Sequence, residues 1–507
     1  MSYLGLDIGT TSCKAAVFDA DGRLLALAYR EYPLLTPQPG WVEVDSARVC
    51  ADCCSVIQEV VAAAGGDPVR GLGISSQGEA FTPVAASGEL LGNGMVSSDA
   101  RAVDLTCAFS RRFGARRLYD STGHTPQATF TLYKLLWLRQ ERPEIFSAAK
   151  RFLCFEDLFQ QCLGLEPSIG WPLAGRTMLF NVRTHCWDED ILQSLDLDPT
   201  RLARPAPSGS VVGTIPHKIA EKLGLPDGVM VVAGGHDQPC GALGAGAVEP
   251  GTAMYASGTV ECISPVFAEP RFDERLFRSN LSTYDAALPG MYTTALYSIT
   301  GGNLLRWFRD QWGQLEVAEA ARSGADPYEL LLRGMSPNPT ELMVLPYFTP
   351  SGTPYFDTET PGAILGLRLT TTRGQVLRAL IEGVAMEMRL NLDILQEAGL
   401  PVRQLRAIGG GAKSVALVQL KADVLNRPFT TLAVTEAGCL GVAMLACAAD
   451  NDISPCEVVA SWVKTGPTIE PDPCRVARYN DRFEAYRQLH PAVRDLWKRL
   501  TALSQSL

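Results

Sequence analysis

A chain of 507 residues exceeds the size at which one hydrophobic core keeps growing, so two domains are expected. Its residues are 46% apolar and 20% charged, which excludes disorder, collagen-like repeats and a linker-rich architecture. The net charge of −10 disfavours nonspecific binding to nucleic acid or an anionic membrane, both of which need a basic face, and points to a small molecule as the expected partner. No segment approaches the roughly 18 uninterrupted apolar residues of a membrane helix, and the start lacks the basic and apolar regions of a secretion leader, so a cytoplasmic protein is expected. The 14 cysteines are scattered through apolar stretches and read as reduced packing residues. Cys50, Cys53 and Cys54 include one C-x-x-C, but no second pair or histidine follows at zinc spacing.

Residues 3–28 read as a meander: an apolar strand to Leu6, a turn, a strand across Lys14 to Phe18, the turn Asp19 to Gly22, and a third strand from Arg23. That start argues against a nicotinamide-binding βαβ unit. Val49, Cys53, Val56, Ile57, Val60 and Val61 then recur at helical spacing. "VRGLGISSQGEAFTPV" reads as a buried strand leaving into polar residues, Thr129 to Leu163 as helical, and "GSVVGTIP" as an irregular crossing. Val229 to Ala233 is an apolar strand that runs into Gly234-Gly235-His236-Asp237 and a small-residue helix from Pro239.

Thr252 to Ile263 repeats the opening logic of strand, small hydroxyl-bearing turn and strand, which suggests two related halves with a boundary near Val248 to Gly251. A third glycine turn, Gly409-Gly410-Gly411, leads into an amphipathic helix, a short strand and a glycine-rich helix start at Glu436 to Gly441. The closing stretch "RYNDRFEAYRQLHPAVRDLWKRL" reads as one amphipathic helix.

Glycine turns bind phosphate because the chain can approach closely and aim several amides at one anion, and Gly9, Thr10 and Thr11 supply such a turn. An acid beside a nucleotide suits Mg2+ or its waters, a role for Asp7. Asp7 and Asp237, from two strand ends, would put a metal position and a base position on opposite sides of one phosphoryl group. The plain alternative for Asp237 is a helix cap, with His236 a turn residue. Neither a Walker A sequence nor a dinucleotide fingerprint after the first strand is present.

These motifs resemble the FGGY family of carbohydrate kinases, which contains xylulokinase, gluconokinase and glycerol kinase. The resemblance rests on "YLGLDIGTTSCKAAVFDADG", "AGGHDQPCGALGAG" and "AIGGGAKSVALVQLKADVLNRPF", in order. "TFTLYKLLWLRQE" resembles the first family signature, with Lys134, Trp137, Gln140 and Glu141 in place. "GAILGLRLTTTRGQVLRALIEGVAMEM" resembles the second, through Gly362, Gly366, Leu367, Gln375, Ala379 and Glu382.

The resemblance implies an α/β fold of two ribonuclease-H-like domains, of the actin, hexokinase and chaperone ATPase type, around a cleft. Residues 1–249 would form the sugar-binding domain with the base, and 250–507 the nucleotide-binding domain. It also implies an ATP-dependent, Mg2+-using kinase that phosphorylates an alcohol group of a small sugar. Asp237 matches the catalytic base, and Asp7 with Asp237 the metal acids. Gly9, Thr10, Thr11, Gly258 and Thr259 match the phosphate turns, Gly410, Gly411, Ala412 and Lys413 the nucleotide-facing turn, and Asn303 a weaker cleft position.

The sugar-binding expectation covers Gln77, Glu79, Asp99, Arg101, Asp237 and Gln238. Xylulokinases carry Gln-Met-His and glycerol kinases Gln-Arg-Glu where this chain has Gln77-Gly78-Glu79, and Ser97 stands where a tryptophan is usual. Two losses of bulk suggest a roomier pocket. Glu79 with Asp237 would repel a carboxylate, so a neutral ketose or polyol is favoured over gluconate. Glu79 is open to the reading of a solvated loop acid, and Arg101 to that of an ion-pair partner of Asp99 or Asp104. His124 and His185 receive no role, and Cys240 reads as helix packing. A xylulose-like pentulose leads as substrate; ribulose, erythritol, glycerol and a noncatalytic nucleotide- or sugar-binding protein are the alternatives. The assembly is left open, a homodimer among the options.

Overall fold

The computed structural model describes residues 1–433 and 436–504. The chain starts with the expected meander of Ser2–Ile8 (β1), Ser12–Asp19 (β2) and Leu24–Glu31 (β3), paired antiparallel with Leu6 opposite Ala15 and Asp7 opposite Lys14. The helix Ser46–Ala63 (α1), capped by the Asp45 side chain on Arg48 N, buries Val49, Cys53, Val56, Ile57 and Val60. Val69–Ser76 (β4) runs parallel to β1, Val211–Thr214 (β5) is an edge, and Met230–His236 (β6) runs parallel to β4, giving the sheet order β5-β6-β4-β1-β2-β3.

"GSVVGTIP" is therefore a strand rather than an irregular crossing. It is short and lies on the sheet edge, so it carries none of the buried apolar run that marks β4 and β6. The stretch from Thr129 to Leu163 is also more than helical. Between helix Thr131–Glu141 (α2) and helix Phe155–Cys162 (α3) lies a strand, Arg151–Cys154, paired with Phe81–Val84.

After the helix Asp237–Gly244 (α4), a second sheet repeats the plan. Thr252–Ser257 (β7) pairs antiparallel with Glu261–Phe267 (β8), which pairs with Tyr292–Thr293 and Leu296–Ser298. Gln404–Ile408 (β9) is parallel to β7, Phe429–Leu432 (β10) is parallel to β9, and Thr465–Ile469 (β11) closes the far edge antiparallel. Strand for strand, β7, β9, β10 and β11 stand as β1, β4, β6 and β5 do. That shared order and direction is the two-domain ribonuclease-H-like architecture expected from the sequence. Helices Gly302–Trp312 (α5), Arg373–Glu397 (α6) and Val415–Leu425 (α7) surround the second sheet. The closing amphipathic stretch is two helices, Pro473–Tyr486 and Leu489–Ser504, not one.

The halves meet through helix Ala437–Asn451 (α8), which follows β10 in sequence but packs on the first sheet and on α4. Strand periodicity divides β1 between two cores. Leu4, Leu6 and Ile8 join the α1 core, while Tyr3, Phe18 and Val232 pack with Leu440, Val442 and Leu445 of α8. The α4–α8 contact runs backbone to backbone. A Cβ at Gly441 would lie 2.0 Å from Cys240 O, and one at Gly244 1.9 Å from Ala437 O, so only glycine permits this spacing.

Candidate active site

Three neighbouring parallel strands, β1, β4 and β6, end on the same edge of the first sheet, with Ile8 and His236 both in register with Ser76. Ligands of open α/β sheets bind outside such carboxyl ends. Asp7, Gln77 and Asp237 are thereby brought together there. Asp7 Oδ1 accepts from Ser75 Oγ at 2.8 Å, and the N-terminal turn of α8 backs its carboxylate, where a Cβ at Gly438 would come within 3.0 Å. Burial pushes the Asp7 carboxyl up, against the pull of Ser75 and Lys14.

Lys14 sits opposite Asp7 in the hairpin register and donates to Glu436 Oε2 at 2.8 Å, a site residue that sequence reading missed although the register placed it there. The turn between the strands is closed by Gly9 N on Ser12 O, and Tyr32 OH donates to Gly9 O at 2.6 Å. Thr10 is half-buried and Thr11 exposed on this turn.

Asp237 opens α4 with 29% of its side chain exposed. Its Oδ1 is buried and accepts no hydrogen bond, although His236 Nε2 stands 3.1 Å away. Burial, with Asp7 and Glu79 adding to it, pushes the Asp237 carboxyl up to about 7. Gln77 Oε1 and Gln238 Oε1 are likewise buried acceptors without partners. Three orphaned acceptors thus lie on one sheet edge, each free to take a hydrogen bond from a bound molecule.

His236 is more than a turn residue. Burial and Arg176 hold it neutral, and its Nδ1 lies 3.3 Å from Tyr284 OH. His124, given no role from sequence, is also buried and neutral, with an unpartnered Nε2.

Arg176 changes the expected pocket. Its Nε donates to Glu79 Oε1 at 2.6 Å, and its guanidinium lies 5.0 Å from the Phe130 ring. Glu79 is buried, at φ +63°, so it is no solvated loop acid. Nor is it a free negative charge, so repulsion of a substrate carboxylate rests on Asp237 alone. The loss of bulk at Gly78 does not make the pocket roomier, because a Cβ there would lie 3.1 Å from the His236 ring and 3.5 Å from Arg176 Cβ.

Lys134, from α2, pins this loop by donating to Val96 O at 2.8 Å, Met95 O at 3.2 Å and Glu79 O at 3.4 Å. Its burial lowers the ammonium to about 8. Asp99 and Arg101 pair with each other rather than Asp104. Arg101 gives Nε to Asp99 Oδ1 at 2.8 Å and Nη2 to Glu43 at 2.7 Å, and lies 3.9 Å over Trp41 and 4.8 Å from Trp137. With 2% of its side chain exposed, Arg101 braces the pocket wall instead of reaching a sugar.

In the second half a cavity of about 830 Å³ opens at the ends of β7 and β9, a size that suits a cofactor. Gly258, Thr259, Asn303, Gly410, Gly411 and Lys413 line it, as expected from sequence. Ala412 does not, and packs against the second core. Gly302 N donates to Gly258 O at 2.9 Å and Asn303 N to Thr259 O at 3.1 Å, so α5 starts on the phosphate-type turn. A Cβ at Gly411 would lie 2.2 Å from Ser257 Oγ, so that turn closes on β7 only as glycine. Lys421, missed from sequence, donates to Ser257 Oγ at 2.6 Å and Glu261 Oε1 at 2.5 Å. Its signal was a lysine, with Asp423 two residues on, in the midst of a largely apolar helix. Leu380, Ile381, Val384 and Leu417 give the cavity an apolar wall, with Tyr328 and Arg333 at its rim.

Two ribonuclease-H-like halves, one ending in two facing carboxylates and orphaned acceptors and the other in glycine turns around a cofactor-sized cavity, define a phosphotransferase of the two-domain ATPase class. Residues 2–244 match the N-terminal domain model of the FGGY family of carbohydrate kinases, and residues 253–449 its C-terminal domain model. The chain belongs to this family and is a carbohydrate kinase. It is 25% identical over 500 residues to the xylulose kinase of Bacillus subtilis (strain 168), covering 98% of each chain. It is 31% identical over 467 residues to the glycerol kinase of Polaromonas naphthalenivorans (strain CJ2), covering 88% of this chain and 90% of the relative. The crystal structure of xylulose kinase from Rhodospirillum rubrum superposes with a TM-score of 0.88 at 26% identity, over 98% of this chain and all of the other.

Proposed function

We propose that this kinase moves the γ-phosphoryl group of ATP to a hydroxyl of a neutral ketose, a xylulose-like pentulose first, with Asp237 as the base. The observation that carries the assignment is the buried, unpartnered Oδ1 of Asp237 on a carboxyl pushed up to about 7, a base matched to neutral pH. Phosphoryl transfer asks a protein mainly for alignment and charge neutralisation. The sugar hydroxyl gives its proton to Asp237, Gln77 Oε1 and Gln238 Oε1 accept from neighbouring hydroxyls, and Glu79 and Arg176 form the pocket's charged wall. Asp99 and Arg101 keep that wall in place. The turns at Gly9 to Thr11 and Gly258 to Thr259 hold the phosphates, and the turn Gly410 to Lys413 faces the nucleotide. We take the division of labour between 1–249 and 250–507 in the same sense, and place the protein in the cytoplasm, in keeping with its free cysteines.

Asp7 and Asp237 fit Mg2+ by donor chemistry: both offer carboxylate oxygens, and one of these is a buried atom without a partner. Among the described residues no group of three or more His, Cys, Asp or Glu could hold a metal, which suits an ion that takes one or two carboxylates and completes its shell with phosphate and water. Bound there, Mg2+ neutralises phosphate charge.

A polyol is the second reading. Glycerol kinases resemble this chain in carrying Glu at the third position of the Gln-Arg-Glu motif, and here Arg176 brings a guanidinium to Glu79 from another segment. A coupled ADP-release assay with MgATP against a ketose and polyol panel decides between the two. Turnover is expected to be fastest on a pentulose; fastest turnover on glycerol or erythritol selects the second. No turnover on any of them, with ligand binding unaffected by Asp237→Ala, leaves a noncatalytic sugar- or nucleotide-binding protein.

A further inference from the structure

Packing accounts for Cys53, whose thiol is buried against Cys13. It does not account for Cys50. That residue lies half-buried on α1, and its Sγ stands 3.2 Å from the Sγ of Cys162, the exposed last residue of α3, 112 positions further along the chain. Cys54, one helical turn from Cys50, is half-buried on the same flank. An S–S bond is about 2.05 Å long, so Cys50 and Cys162 need to close by only about 1 Å. The two sulfurs differ in the way a reactive pair requires. Contact with Cys50 lowers the Cys162 thiol, whereas that contact and burial raise Cys50, so the exposed Cys162 is the sulfur that ionises first.

We propose that Cys50 and Cys162 are a modification site, a dithiol that a peroxide converts reversibly to a disulfide. The Cys162 thiolate attacks the peroxide: an S–O bond forms, the O–O bond breaks, and the released hydroxide takes up a proton to leave as water. The Cys50 sulfur then attacks the Cys162 sulfenic acid; the S–S bond forms, the S–O bond breaks, and the second water leaves with the Cys50 proton. Two thiols lose two electrons and the peroxide becomes two waters. The same Cys162 would otherwise proceed to the irreversible sulfinic acid, so the partner at 3.2 Å also protects it.

The bridge ties α1, which packs on β2 and β3, to α3, whose Glu156 accepts from Gly234 N on β6, the strand that leads into Asp237. Closing so long a loop restricts the unfolded chain. The purified full-length protein is treated with hydrogen peroxide, denatured and titrated with a thiol reagent. The expected result is the loss of two thiols, a mass decrease of two hydrogens, one cross-linked peptide pair containing Cys50 and Cys162, restoration by dithiothreitol, and a raised Tm in the bridged form. Cys162→Ser abolishes the bridge. Cys50→Ser leaves a Cys162 sulfenic acid that dimedone traps. The proposal is overturned by an unchanged Cys50 and Cys162 while exposed Cys107, Cys186, Cys456 or Cys474 react, by a bridge from Cys54 to Cys162, or by a bridged form with a lowered Tm. These readouts do not depend on which sugar the kinase uses.

Discussion

Asp237 keeps its proton above the range of a solvated carboxyl because its carboxyl is desolvated and shares its surroundings with Asp7 and Glu79, against the pull of Gln238. Only the ionised form accepts a proton from the sugar, so kcat/KM is expected to rise with pH through about 7 and level off above it, measured at saturating MgATP. The sign for stability is opposite. A carboxyl whose folded-state value is raised contributes stability that is complete below its unfolded value of about 4 and is lost progressively as pH climbs from there to about 7. Asp237→Asn should therefore lower kcat by roughly 10²- to 10⁴-fold. It should also raise the Tm of the unliganded protein at pH 8 and, by a smaller amount, at pH 6, with the difference fading below about pH 4; a fall in Tm at pH 8 would count against the burial argument. Arg176→Gln leaves the Glu79 carboxylate buried and unpaired, and should cost about 3 kcal/mol in chemical denaturation and raise KM for the sugar. Adding Glu79→Gln should recover most of the stability and little of the KM.

Elements legible in the sequence are those whose reasons are local. The strand that carries Asp7 near its end, the meander it opens, the strand ending at His236 and all three glycine turns announce themselves by apolar runs that stop at small or acidic residues. What stayed hidden depends on separation in the chain. Arg176 reaches Glu79 across 97 positions and Lys421 reaches Glu261 across 160, and no spacing rule connects them. Gly78 was misread as lost volume for the same reason, since the atoms that fill the space come from positions 176 and 236. The edge strand at 211–214 escaped because half-exposed residues carry no buried run. The α4–α8 contact lies between these cases: its small residues are visible in sequence, and its partner is not. Gly441→Ala would drive a Cβ into the Cys240 carbonyl, and is expected to destabilise by about 3 kcal/mol, read as a lowered denaturation midpoint at unchanged far-UV dichroism.

At the scale of the whole molecule, the cavity in the second half stands apart from the orphaned acceptors of the first, so nucleotide and sugar should stabilise the protein separately and add. MgADP at about 100 times its Kd is expected to contribute about 2.7 kcal/mol, seen as a Tm shift that Gly411→Val removes while the shift given by sugar persists. Helix α8 also has a consequence for how the chain can be divided. By sequence it belongs to the second half, yet it forms one wall of the first sheet's core and backs the carboxylate of Asp7. A cut at 249/250 therefore produces two fragments, neither of which owns a complete interior. The first would expose Tyr3, Phe18 and Val232, and the second an unpartnered helix of small apolar residues. Co-expressed, the pieces should reassemble into one kinase; expressed singly, each should aggregate. In that sense the molecule is an interlocked pair whose halves hold each other folded, and inheriting or exchanging one half means carrying the other's helix with it.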